Sequence, residues 1–462
     1  MNGRERNKKR ADKRWPAVAW RTTCTTGIPR PGRTHPTIGA RALTTYTPTP
    51  DGHGRATTAS RASWQRSATE LPDVRWDAIV VGGGPAGATA ALHLADAGQH
   101  VLLLERAAYP RPKACGDLLI PDTIAALRRA GLYGAVAAEA LPVDDALISS
   151  PSRIEWSIPG EYMLLRRERF DMLLAEGAAR RGALVARGRV ERVRAEPDSD
   201  VGVHVAGLTR PLRARYAVLA TGADVSLLDD LGMLERSAPT AVAVRAYVRS
   251  PVRHDRLFIS FDRRIVPGYA WSFPLPDGEY NVGVGVLYDP ARPARHDLRA
   301  LFDTFCNEVP SVRALMGSGE RRGRLRGARL RCGLDGARAR GPGNVLAVGE
   351  QISTTYPFTG EGIGKAMETG EMAAAAIARA LRDSDPAAVD AYAARVETRL
   401  RPRYRGYEAA QRWLSRPWLN DLVSWRIRRG RFLREAAQGI VAETVDPTRI
   451  FSWQGVVRSV VG

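Results

Sequence analysis

The chain has 462 residues, 44% hydrophobic and 7% aromatic, with a formal net charge of +20. That length and apolar content suit a large α/β unit with a second lobe, and they exclude a chain that is disordered throughout. Half of the charge falls in the first 70 residues, which hold 14 Lys/Arg against 4 Asp/Glu, so the body is only moderately basic.

Residues 1–71 lack apolar periodicity and are rich in Thr, Arg, Pro and Gly, the composition of a disordered basic tail. The segment has no apolar stretch of a secretory signal. Its Arg/Thr/Ser bias fits either an organelle transit peptide or a start codon placed too far upstream. Charge alone would allow contact with nucleic acid, but no reading module accompanies it, so no nucleic-acid partner is expected. The cysteines Cys24, Cys115, Cys306 and Cys332 show no paired spacing. They form neither a disulfide framework nor a metal motif, which suits a reducing compartment.

The run from Ala78 to Gly98 is apolar enough to suggest a membrane span, but its glycines, His93 and Asp96 make it strand, turn and helix. Ala78–Val81 reads as a strand buried on both faces. Gly82, Gly84 and Gly87 complete a GxGxxG turn that includes Ala86, and a helix is predicted over Ala88–Ala97. A second strand ends at Glu105, followed by Arg106. Gly82 permits the tight turn, Gly84 a close approach to pyrophosphate, and Gly87 close helix–strand packing. The helix N-terminus favours phosphate, and Glu105 can accept from ribose hydroxyls.

Further along, an apolar strand ends in Ala220-Thr221-Gly222, and a strand over Val345–Val348 leads into Gly349-Glu350 and a long Ala-rich helix. This order resembles FAD-dependent oxidoreductases of the glutathione-reductase/aromatic-hydroxylase type. The resemblance implies that Glu350 stands where that superfamily has the Asp that holds the ribityl chain. It also implies that Gly360, Gly362 and Ile363 present backbone N–H groups to the flavin ring, where positive potential stabilises the anionic reduced form.

The segment Tyr269-Ala-Trp271-Ser-Phe273-Pro274, followed by Gly283-Val-Gly285, resembles the signature of the geranylgeranyl reductase family. So does the loop with Lys113, Cys115 and Gly116, and the helix with Arg167, Phe170 and Asp171. The likeness runs from about Trp76 to the C-terminus. It implies FAD contacts from Arg167, Val190, Cys115 and Gly116, and reduction of isolated double bonds in prenyl chains. A prenyl chain has no polar handle over most of its length, so binding must come from apolar burial at about 25 cal/mol per Å². Tyr269, Trp271 and Phe273 are two apart on a strand and share a face. They form either a wall that guides the chain over the flavin or plain core, and the Gly-Val-Gly return strand favours the wall by leaving space opposite the rings. The alkene needs a proton as well as a hydride. Cys115 is the candidate donor, tuned by Lys113, or else a small residue packed on the flavin.

The C-terminal stretch mixes Trp413, Trp418 and Trp425 with many arginines. It reads as a helical lobe capping the substrate domain, as a surface resting on an anionic membrane, or as both. The expected fold is α/β. A Rossmann-type FAD domain is assembled from 72–140, 166–225 and 339–385, and a β-rich substrate domain from 141–165 and 226–338. A helical extension covers 386–462. The rival activities are a flavin monooxygenase and, more remotely, a flavin halogenase, since fold does not fix chemistry. A non-catalytic lipid- or nucleic-acid-binding protein is disfavoured by the intact FAD motifs. No second GxGxxG marks a nicotinamide domain, which leaves the reductant open between NADPH and another external donor. A cytoplasmic protein with peripheral membrane contact is expected.

Overall fold

The structure, a computed structural model, describes residues 64–196, 200–288, 297–452 and 454. Most of the basic tail, with Cys24, lies outside the described residues.

The chain begins with β1 (Gln65–Ser67), β2 (Arg75–Val81), α1 (Pro85–Asp96), β3 (Val101–Glu105), β4 (Leu118–Leu119), α2 (Pro121–Arg129) and α3 (Tyr133–Ala137). It continues through β5 (Leu141–Ser149), β6 (Glu155–Leu164), α4 (Arg167–Arg180), β7 (Leu184–Arg187), β8 (Val190–Ala195), β9 (Val201–Val205), β10 (Leu212–Leu219) and α5 (Ser226–Asp230). Then come β11 (Ala241–Arg249), β12 (Leu257–Ser260), β13 (Gly268–Leu275), β14 (Glu279–Leu287), α6 (Leu298–Glu308), α7 (Pro310–Ser318) and β15 (Glu320–Leu330). The last elements are β16 (Val345–Ala347), α8 (Ile363–Asp383), α9 (Ala387–Leu414), α10 (Pro417–Arg429) and α11 (Arg431–Val441).

Two eight-stranded sheets result. The first runs β1-β7-β3-β2-β10-β9-β8, with β16 also on β10. Its centre, β7-β3-β2-β10-β16, is parallel. Parallel strands are covered on both faces, and β3 is accordingly buried along its whole length. Helices α1 and α8 cross in contact because Gly370 has no side chain, and a Cβ there would collide with the Ala86 carbonyl. The second sheet runs β15-β11-β14-β13-β12-β5-β6-β4 and is antiparallel except where β12 meets β5. Helices α6 and α7 cover one of its faces through Phe302, Phe305, Val312 and Leu315.

Two expectations need correction. The ordered body starts before residue 71. β1 pairs with β7, the Gln65 side chain bonds the backbone of Ala107 and Tyr109 (both 3.0 Å), and Ser67 with Glu70 forms a capping box. The first helix starts at Pro85, not Ala88, because proline is pre-set for the first helical position directly after Gly84. Among the described residues, no helix is long and apolar enough to cross a membrane.

Candidate active site

A cavity of about 910 Å³ is bounded by the loops after β2, β3, β10 and β16, by β13, and by α10 and α11. Every cofactor- and substrate-site residue expected from the sequence lines it except Gly87 and Gly349. Both of those are packing positions. A Cβ on Gly87 would strike the Gly82 carbonyl, and one on Gly349 would sit 2.8 Å from the Ala86 methyl.

At one end lie the loops expected to hold the dinucleotide. Gly82 has φ +106° and is pressed against the Ala220 carbonyl, so only glycine fits the turn. Gly84 is open instead. A Cβ there would meet only the Arg111 guanidinium, at 3.6 Å, which leaves its backbone free to approach a phosphate. The Glu105 carboxylate accepts from the N–H of Gly83 (3.0 Å) and of Ala107 (3.1 Å) and ion-pairs with Arg111 (3.1 Å). Arg106 pairs with Asp224 (3.2 Å) at the cavity edge. Glu350 does reach the cavity, beside Gly222, and is paired with Lys113 at 3.3 Å. Lys113 is therefore the partner of Glu350, and the cation against the Cys115 thiol is Arg167. An open glycine cradle, the Glu105 carboxylate at the end of β3 and a second carboxylate beside Gly222 are a set of groups that fits FAD.

Arg167 is held by Asp171 at 2.7 and 3.0 Å, and Asp171 also ion-pairs with Arg111 at 3.1 Å. Next to this pair runs a second buried network. Asp117, at φ +64°, accepts from the Arg167 N–H (3.1 Å), the Tyr247 hydroxyl (2.6 Å) and Asn281 Nδ2 (2.8 Å). Asn281 Nδ2 also donates to the Cys115 carbonyl (2.7 Å), and Asn281 Oδ1 accepts from the Trp271 indole (2.9 Å). The aromatic strand and the Cys115 loop are thereby tied to one amide. Burial pushes the Asp117 carboxyl above its ordinary range, against the pull of Tyr247 and Arg245.

Tyr269, Trp271 and Phe273 share a face, with ring centroids 5.9 and 6.2 Å apart, and they line the cavity. Phe261 and Phe358, stacked at 5.3 Å, extend the wall. The expected space opposite the rings is not there. The Trp271 indole lies flat over Gly283 and occupies the room that its missing side chain leaves. The glycine seats the wall instead of widening the cavity.

Glu361 lies between Gly360 and the Gly362 cap of α8 and also lines the cavity. Burial, reinforced by Asp122 and Glu443, pushes its carboxyl up to about 8. Asp122, 5% exposed, is pushed by burial to about 7. Lys365 is the shared cation, but it sits on Glu368 (2.5 Å) and Glu443 (2.9 Å) and only reaches Asp122 at 3.9 Å. Burial would lower the Lys365 ammonium, and Asp122, Glu443 and Glu368 together raise it. Among the described residues, no cation pairs with Glu361 at ion-pair distance.

Arg111, Asp117, Asn281 and the raised carboxyl of Glu361 escaped the sequence reading. Asp117 directly follows Cys115-Gly116, and that adjacency was the one available signal. Among the described residues, no histidine lines the cavity.

The sequence matches the FAD binding domain family over residues 75–253. It is 32% identical to a menaquinone reductase of Mycolicibacterium smegmatis over 317 residues, covering 65% of this chain and 76% of that protein. It is 28% identical to digeranylgeranylglycerophospholipid reductase 2 of Methanopyrus kandleri over 340 residues, covering 68% of this chain and 80% of that protein. Among solved structures, a geranylgeranyl bacteriochlorophyll reductase-like protein from Thermoplasma acidophilum superposes with TM-score 0.67 at 23% identity, covering 84% of this chain and 96% of that one. A flavin-dependent brominase gives TM-score 0.64 at 20% identity, with coverage of 84% and 98%. At these identities the structural likenesses show the fold alone.

Proposed function

This chain belongs to the geranylgeranyl reductase family of FAD-dependent oxidoreductases, and from that premise we propose that it saturates isolated double bonds in the prenyl chain of a lipid. The observation that carries the reading is the bond from Trp271 to Asn281 and on to the Cys115 carbonyl, which fixes an aromatic wall against the loop expected at the flavin. The residues that would hold FAD are Gly82, Gly84, Ala86, Glu105, Arg106, Cys115, Gly116, Arg167, Val190, Gly222, Glu350, Gly360, Gly362 and Ile363. Reduced FAD, when bound, supplies the hydride. Tyr269, Trp271 and Phe273 orient the apolar chain and exclude water. Cys115 or Glu361, both in the cavity wall, would give the second alkene carbon its proton, and burial raises the Glu361 carboxyl to about 8.

Beyond the rings the cavity continues past Ile158, Val423, Ile427 and Val441, an apolar lining suited to a long hydrocarbon tail. The names of the relatives agree with this. Menaquinone carries a polyprenyl tail, and the archaeal lipid carries two geranylgeranyl chains. A lipid of this kind resides in a bilayer, so the enzyme works at a membrane surface. The reductant that reloads FAD is NADPH or another external donor.

The test is anaerobic. Dithionite-reduced protein is mixed with menaquinone or with a digeranylgeranyl phospholipid, and the products are weighed by mass spectrometry. Gain of two hydrogens per reduced bond, with return of the oxidised flavin spectrum, is the expected result. A substrate that changes only when oxygen is admitted would replace the reductase reading with a monooxygenase.

A further inference from the structure

Helix α10 has two working faces. Asn420, Val423, Ser424 and Ile427 line the cavity. On the opposite side Trp418, Leu422 and Trp425 are 63%, 47% and 38% exposed, three of the five large hydrophobics exposed among the described residues. Their spacing of i, i+4 and i+7 makes one continuous stripe.

The surroundings of the stripe are cationic. Arg416, Arg428, Arg429 and Arg434 are exposed, and the Arg429 guanidinium lies 4.5 Å over the Trp425 ring. The carboxylates of α10 and α11 themselves are already engaged. Asp421 turns inward to the hydroxyls of Ser150 and Ser152 (2.7 Å each), and Glu435 pairs with Arg431 (2.6 Å). Tryptophan edged by arginine, on helices whose own carboxylates are engaged, complements the headgroup zone of an anionic bilayer.

We propose that the outer face of α10 seats on an anionic lipid bilayer and that prenyl lipid passes from that bilayer into the cavity past the inner face of the same helix. The proposal rests on the prenyl-lipid reading above and adds the route of entry. The tryptophans anchor the helix at headgroup depth while Val423 and Ile427 present an apolar path inward.

The test uses the full-length FAD-loaded protein and vesicles of equimolar phosphatidylcholine and phosphatidylglycerol, compared with phosphatidylcholine alone. Wild type is expected to sediment with the anionic vesicles and to be released by salt. The double variant Trp418→Ser/Trp425→Ser is expected to lose binding by about tenfold or more. It should keep its flavin absorbance and reduce a detergent-dispersed prenyl lipid at the wild-type rate. Arg428→Glu/Arg429→Glu, both exposed, serves as a second variant with the same expected loss. Equal vesicle binding by wild type and both variants would overturn the proposal, as would wild-type binding indifferent to lipid charge, which means that the arginines do not read an anionic surface, or no binding to either vesicle, which points to a protein partner instead. Vesicle binding that depends on α10 while no prenyl lipid is reduced under any condition would leave the surface standing and remove the reductase reading.

Discussion

Replacing Glu361 with Gln tests whether a neutral carboxyl is stored beside the flavin site. Glu361 has an ordinary value of 4.5 and is held by burial near 8. The folded chain therefore binds this proton more tightly than the unfolded chain. The associated stability is fully present below 4.5, is lost as pH rises through the window to about 8, and stays flat above it. Each pH step inside the window removes about 1.4 kcal/mol, so a fully buried group would cost about 4 kcal/mol between pH 5 and 8. Glu361 faces the cavity, and solvent there reduces the expected loss to about 2 kcal/mol. The assay is urea unfolding of the holoenzyme, followed by flavin fluorescence, at a series of pH values from mildly acidic to mildly alkaline. Glu361→Gln should flatten the slope and be the more stable protein at the alkaline end. Part of any residual slope belongs to Asp122, which shifts in the same direction up to about 7. Turnover should fall about 100-fold in the variant with flavin retained, since general-acid catalysis contributes about 10² to 10⁴. In wild type it should fall as pH rises through about 8. Identical pH slopes in the two proteins, or undiminished turnover in the variant, would refute the reasoning.

Trp271→Ala removes the centre of the wall and the donor to Asn281, and is expected to destabilise the fold by about 3 kcal/mol while the purified protein stays yellow. Its turnover of prenyl lipid should drop well below wild type; loss of flavin instead would show the ring to be purely structural. Gly283→Ala places a methyl inside the Trp271 indole, so the ring must swing off Asn281. Tryptophan emission should shift and substrate KM should rise, although no side chain has been removed. Asp117→Ala leaves three buried donors unpaired at about 1–3 kcal/mol each and puts a Cβ-bearing residue other than Asn or Asp at φ +64°. A thermal melt should drop sharply, and Asp117→Asn, which tolerates that backbone and keeps one acceptor oxygen, should recover part of the loss.

The local parts of this molecule were legible. The glycines after β2, the acidic end of β3 and the period-two aromatics of β13 each state a backbone requirement in adjacent residues, and the cavity gathers nearly all of them. What was hidden depends on distance along the chain. Arg111 joins Glu105 to Asp171, and Asn281 joins Trp271 to the Cys115 loop, so neither role exists until the sheets assemble. Glu361 reads in sequence as a polar residue in a glycine turn. Its neutrality comes from burial beside Asp122 and Glu443, far away in the chain. The role of Gly283 was misread because an absent side chain announces room without saying what fills it.

The single parallel joint in the second sheet bears on how the chain can be made and cut. β5 lies against β12, with Ala146 beside Leu257, across roughly 110 residues that mostly build the other sheet. The hairpin β5–β6 is thus synthesised early and waits with one edge bare until the ribosome has delivered most of the flavin-side strands. Neither sheet can be obtained by trimming the gene at one point, and fragments ending before Leu257 will present that edge to one another and precipitate.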